Sequence, residues 1–378
     1  MTESLRIPLS APDLHESDIE AVAGVLRTPR LSLGPKLEEF EQSLARYLGV
    51  SHAVGVSSGT SALHLCMRAL GIGEGDEVIV PSFAFIAVAN TLRYERAVPV
   101  FVDVDSETLN LDPARIEAAI TPKTRAILVV HTFGCPAELS EIIRLARRHS
   151  LFVMEDACEA IGAEYDGKKV GTLGDIGVFS FYPNKPISTA EGGAVVTQNS
   201  VNAALVRSLR NQGRGTSDDW FEHSHLGYNY RLSELHCALG IEQLKRIDSI
   251  LSRREAVARG YHERLAGDPD LILPPLDLPR RMISWFVYVV RLAAHLAPDQ
   301  RDWIRDQMIA RGIGCGRYFA PIHLQPIYQS ASGPRHELPV TEWNAPRTLV
   351  LPFFNRISDA QMDEVCQVLG ELLRSPGP

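Results

Sequence analysis

Two acids and an amine make residues 151–193 the stretch of this chain best placed to do chemistry. An apolar run, Leu151 to Met154, breaks into Glu155-Asp156, and a second, Ile176 to Tyr182, breaks into Pro183-Asn184-Lys185. Asp156 and Lys185 each follow the end of an expected buried strand, 29 residues apart. In an open α/β sheet, ligands bind outside the carboxyl ends of the strands. A carboxylate and a lysine aimed into one such crevice point to carbonyl chemistry through a Schiff base.

Two other places could serve the same crevice. Ser57-Ser58-Gly59-Thr60 follows a short strand, Ala53 to Val56, and opens an amphipathic helix carrying Leu63, Cys66, Met67 and Leu70. Free N–H groups at such a start can hold an anion, although Ser and Thr there are also ordinary helix caps. Phe85 lies just past the strand ending at Pro81 and could stack on a flat ligand, although a core contact is the usual role of a Phe. Strand and helix alternate from residue 53 to about 200, which argues for a mostly parallel sheet wrapped by helices. Further elements are expected as helices at 12–28, 35–48, Pro113–Ile120 and Glu138–His149, and as a long helix from about Leu232 to Leu251. Beyond 250 the pattern shifts to longer helices, an apolar strand at 285–292 and Pro-rich connections. A large domain is therefore expected over 1–248 and a smaller C-terminal α+β domain over 249–378.

Composition narrows the class. The 378 residues carry 46 acidic against 38 basic side chains, a net charge of −8 without a basic block, which disfavours nucleic acid as a partner. Six scattered cysteines without a CxxC pair read as reduced thiols. No signal peptide and no apolar run of membrane-spanning length is visible, so a cytoplasmic protein is expected. The glycines at 71–75 and 312–316 lack the GxGxxG context of a dinucleotide loop. His223-Ser224-His225 has no accompanying ligand cluster, and no metal is expected.

One cofactor uses these pieces together. Pyridoxal phosphate needs a lysine for its aldehyde (Lys185) and a carboxylate to keep its ring nitrogen protonated (Asp156). Its phosphate needs hydroxyls and helix-start N–H groups (Ser58–Ser61, Ser180), and its ring needs an aromatic cover (Phe85).

The chain resembles the DegT/DnrJ/StrS family of nucleotide-sugar aminotransferases over essentially its whole length, from Ile7-Pro8-Leu9 to the helix near Leu373. The resemblance is carried by Gly34-Pro35, Ser57-Ser58-Gly59-Thr60-Ser61-Ala62-Leu63, Pro81-Ser82-Phe83 and Glu155-Asp156-Ala157. It continues through Ser180-Phe181-Tyr182-Pro183-Asn184-Lys185, Glu191-Gly192-Gly193, Gly227-Tyr228-Asn229-Tyr230-Arg231-Leu232 and Tyr318-Phe319-Ala320-Pro321-Ile322-His323. It implies the fold-type I architecture of pyridoxal-phosphate enzymes. It also implies that Lys185 forms the Schiff base and moves the proton, Asp156 pairs with the pyridinium nitrogen, and Phe85 covers a ring face. Ser58, Gly59, Thr60 and Ser180 would hold the phosphate. Asn229 would reach the cofactor of the neighbouring subunit in a homodimer, and Tyr318 and His323 would lie toward the sugar.

Two positions depart from the family pattern. Ala190 stands where Gly is common. Glu159 stands beside the phenolic oxygen, where relatives carry Gln or His. An ionised Glu cannot donate there, so Glu159 is protonated, or points elsewhere, or the phenolic oxygen keeps its proton. The reaction implied is a two-stage transamination through pyridoxamine phosphate, from an amino acid, by analogy L-glutamate, to a nucleotide-linked keto-sugar, with a 4-keto-6-deoxyhexose favoured. Alternatives are a 3-keto sugar, a keto-cyclitol, a synthase making an aromatic amine, or a non-catalytic regulatory protein that keeps the cofactor.

Overall fold

A computed structural model of the chain describes residues 5–215, 221–329 and 337–375. The strands run β1 (His52–Val56), β2 (Glu77–Pro81), β3 (Val98–Val102), β4 (Thr124–Val130), β5 (Phe152–Asp156), β6 (Glu164–Tyr165), β7 (Lys168–Lys169), β8 (Ile176–Ser180) and β9 (Gly193–Thr197). A seven-stranded sheet takes the order β1-β9-β8-β5-β4-β2-β3, in which only β9 runs against its neighbours. Side chains alternate across each strand, and two apolar cores follow from that period. Ile127, Val129, Val153, Phe179 and Val196 face one core, while Ala126, Leu128, Val130, Met154, Val178 and Val195 face the other. Both faces are covered, which is why these strands read as continuous apolar runs.

The helix Pro35–Leu48 buries Leu37, Phe40, Leu44 and Leu48 and stops at Gly49, whose φ of 72° a side chain would strain. The expected long helix after 232 is two helices, Glu234–Lys245 and Ile247–Leu265. Arg246 leaves helical geometry between them (φ −109°, ψ 6°) while its guanidinium bonds Asp18 at 2.7 Å. The 248/249 junction falls inside the second helix.

Beyond it, β10 (Leu271–Ile272), β11 (Arg281–Met282), β12 (Tyr288–Leu292) and β13 (Thr348–Leu351) complete the strands. An antiparallel sheet β10-β12-β13 packs with Ile247–Leu265, Gln300–Ala310 and Asp359–Leu373 around a third core. Ile7 belongs to that core and bridges Ile313 in parallel, so the start of the described chain is built into its C-terminal part. Among the described residues, no helix is long and apolar enough to cross a membrane.

Candidate active site

Strand direction explains why distant residues meet. The carboxyl ends of β1, β2, β4, β5 and β8 lie along one edge of the sheet, with the amino end of β9 among them. The loops leaving that edge carry Ser57–Thr60, Ser82–Phe85, Thr132–Phe133, Asp156–Glu159 and Ser180–Lys185. Asp156 closes β5 and is buried, and its Oδ1 accepts the N–H of Cys158 at 3.0 Å. Lys185 lies five residues past β8, and its backbone N–H bonds the Tyr182 carbonyl at 2.9 Å.

The Lys185 Nζ stands 3.5 Å from Glu159 Oε1 and 4.0 Å from the centre of the Phe286 ring. Glu159 Oε2 accepts the Phe133 N–H at 2.9 Å. Burial pushes the Glu159 carboxyl above the usual range, and Asp156 adds to that, while Lys185 and the Phe133 amide pull it back without cancelling the rise. Tyr318 closes this side, its ring nearly parallel to Phe286 (5°, 6.2 Å) and to Phe319 (13°, 5.0 Å). Burial, and after it the charge of Glu159, raises the Tyr318 phenol, while a hydrogen bond from Asn184 opposes them. The Asn184 Oδ1 is buried and has no hydrogen-bond partner among the described residues.

The anion cradle has a defined geometry. In the helix Gly59–Ala69 the first helical bond is Ala62 N–H to Ser58 O, and the Ser58 hydroxyl caps Ser61 N–H at 3.0 Å. The N–H groups of Gly59 and Thr60 are left as the orphan donors of the first turn. The Ser58 hydroxyl, in the segment expected to hold the phosphate, caps its own helix. A Cβ on Gly59 would stand 2.9 Å from Ser180 Cβ and 3.0 Å from Cys158 Sγ, so only glycine lets the turn approach β8 this closely. Gly193 likewise has the Ser58 backbone where a Cβ would be, at 2.5 Å.

Phe85 is 61 % exposed at the site edge. Asn229 is exposed between Tyr228 and Tyr230, whose rings stack at 5.0 Å. Tyr230 in turn bonds His64, a buried residue of the cradle helix, at 3.1 Å. Both ring nitrogens of His323 are engaged, Nδ1 with Ser82 Oγ at 2.6 Å and Nε2 with Glu342 at 3.2 Å. His323 ties the 321–324 turn to the loop after β2.

Sequence reasoning missed Phe133, Asn184 and Phe286. Phe133 lies just past the end of β4, on the sheet edge where Asp156 closes β5, a signal that could have been read. Phe286 carries no such signal, since it comes from the far C-terminal part of the chain.

The residues fit pyridoxal phosphate. A glycine-only turn with two orphan amides beside a serine suits a dianionic phosphate. The lysine, the strand-end carboxylate and the aromatic walls suit the rest of the cofactor. Among the described residues there is no group of His, Cys, Asp and Glu that could hold a metal ion.

Comparisons with known proteins agree. The model of the DegT/DnrJ/EryC1/StrS aminotransferase family matches residues 12–370. GDP-perosamine synthase of Caulobacter vibrioides is 40% identical over 376 residues, covering 99% of this chain and 100% of the relative. The S. venezuelae DesV structure, a complex with a ketimine intermediate, superposes with a TM-score of 0.91 at 38% identity, covering 99% of this chain and 100% of that one. Helicobacter pylori PseC, an aminotransferase involved in pseudoaminic acid biosynthesis, gives 0.94 at 30% identity, covering 98% and 100%. The chain belongs to the DegT/DnrJ/EryC1/StrS aminotransferase family, as a pyridoxal-phosphate-dependent enzyme of fold-type I.

Proposed function

We propose that the chain moves an amino group from an amino acid, L-glutamate, to a nucleotide-linked keto-sugar of the 4-keto-6-deoxyhexose class. Full-length similarity to a GDP-perosamine synthase supports a nucleotide-linked sugar. The observation that carries the chemistry is Lys185, a part-buried amine held between a carboxylate and an aromatic face at the carboxyl edge of the sheet.

Bound pyridoxal phosphate supplies an aldehyde and an electron-withdrawing ring. The first-turn amides of Gly59 and Thr60, with Ser180, hold the phosphate, and Ser58 fixes that turn by capping it. Asp156 holds a proton at the ring nitrogen. Lys185 is the base and acid at the reacting carbon, and Glu159 faces its Nζ. Phe85 covers a ring face, and Asn229 reaches toward the neighbouring subunit of a homodimer. Tyr318 lies on the substrate side, while His323 holds the segment that carries it. Over the whole reaction the sugar C=O becomes CH–NH2 and glutamate becomes 2-oxoglutarate.

The purified protein mixed with pyridoxal phosphate is expected to develop a visible absorbance band, which Lys185→Ala abolishes along with turnover. An unchanged band in the variant overturns the role of Lys185. Mass spectrometry on glutamate with a panel of nucleotide-linked 4-keto and 3-keto sugars reads the substrate, and amination of the 3-keto members alone overturns the assignment to C4.

A further inference from the structure

Glu159 and Lys185 face each other in a largely buried corner of the site, their side chains 10 % and 12 % exposed. Glu159 Oε2 is taken by the Phe133 amide at 2.9 Å, so Oε1, 3.5 Å from Nζ, is the oxygen that answers the lysine. On its other side the ammonium has the Phe286 ring at 4.0 Å. Among the described residues, the other ionisable groups that act on this pair are Asp156 from the end of β5, Cys158 beside it and Tyr318 from the C-terminal part. Asp156 opposes a negative charge on Glu159, while burial pushes both the Cys158 thiol and the Tyr318 phenol up, so neither supplies charge at neutral pH. Lys185 is the cation that faces the carboxyl. A carboxylate with 8 % exposure that loses its cation takes up a proton rather than remain unpaired.

We propose that Glu159 is the proton-sharing partner of Lys185, ionised while the lysine is an ammonium and neutral once the lysine nitrogen has no charge. One N–H bond is exchanged for one O–H bond when the proton crosses directly. When the amine is absent the proton comes from solvent, and in neither case is anything oxidised or reduced. The exchange turns Glu159 from an acceptor only into a donor and keeps a proton beside the nitrogen that must carry one. The inference rests on the reading of Lys185 as the reacting amine, since that reaction is what consumes its charge.

The test is infrared difference spectroscopy of the cofactor-free protein at neutral pH. Lys185→Met is expected to show the carbonyl stretch of one neutral carboxylic acid, which Lys185→Met/Glu159→Gln loses. Wild type and Lys185→Arg, which keep the cation, are expected to lack it. No stretch in Lys185→Met, its survival in the double variant, or equal intensity in wild type each overturns the proposal. Wild type supplies a second readout that needs no Lys185 variant. On acidification, the stretch missing from Glu159→Gln is expected at higher pH than the stretches of the exposed glutamates, and its appearance at or below theirs overturns the proposal. A missing absorbance band with pyridoxal phosphate counts against the lysine reading. A normal band without the carboxyl stretch counts against the inference alone.

Discussion

Glu155, Asp156 and Glu159 lie within five residues of one another and have three different environments. Alternation along β5 sends Glu155 and Asp156 to opposite faces of the sheet. Glu155 is fully buried and accepts N–H bonds from Gly171 (2.7 Å), Leu173 (2.7 Å) and Gly174 (2.6 Å). His131 Nδ1 accepts the Ala137 N–H, so its Nε2 carries the hydrogen and donates to Glu155 at 3.0 Å. Burial alone would raise the Glu155 carboxyl, but His131 and the amides outweigh it and hold it below the usual range. Its contribution to stability is therefore complete above the ordinary carboxylate range and is lost as pH falls through its lowered value. Glu155→Gln puts an NH2 group against donors and is expected to cost about 2–4 kcal/mol at neutral pH. The acid limb of the stability profile is expected to flatten as well. Urea unfolding across a pH series measures both, and a variant within about 0.5 kcal/mol of wild type overturns this role for Glu155.

Among the elements, the helix Gly59–Ala69 and its first turn were legible, because a strand, a hydroxyl cap and a helical period follow one another within about 20 residues. What holds the preceding helix was not legible. Glu234 is 1 % exposed and accepts the N–H groups of Gly34, Lys36 and Leu37 at 2.8–3.0 Å, capping Pro35–Leu48 from 200 residues away. No local pattern reveals a cap supplied from that distance. The break at Arg246 was missed for the same reason, since the acid it bonds, Asp18, lies near the start of the chain. At the cradle the sequence signal and the packing agree, and they yield a separable prediction. Gly59→Ala favours the helix by up to about 1 kcal/mol but must push the turn off Ser180 and Cys158. Thermal stability is expected to change little, while affinity for pyridoxal phosphate falls about 10-fold or more, a loss of at least about 1.4 kcal/mol. Equal affinity in a spectrophotometric titration shows that the close approach does not serve the phosphate.

Across the whole molecule, the alternating first 200 residues and the change of character near 250 were legible, because periodicity is local. The reach of the C-terminal part into the site was not, and one buried cation organises it. Arg254, on Ile247–Leu265, is 4 % exposed and donates to the carbonyls of Trp285 and Phe286, both at 2.6 Å, and to Asn355 Oδ1 at 2.9 Å. Its guanidinium lies 4.8 Å from the centre of the Phe353 ring. Those two carbonyls belong to the turn that lays Phe286 over Lys185, so the fork of Arg254 sets how the third core meets the reacting amine. Arg254→Leu leaves two buried carbonyls unpaired and is expected to cost about 2–5 kcal/mol. Arg254→Lys keeps the charge but cannot bridge both carbonyls at once, so it is expected to fall between wild type and Leu in stability. The folded Lys variant is also expected to lose turnover, because the Phe286 ring is no longer held over Nζ. Urea denaturation and kcat measured on both variants separate these effects. A Lys variant with wild-type stability and turnover overturns the coupling, whereas one that is less stable but fully active confines Arg254 to the fold.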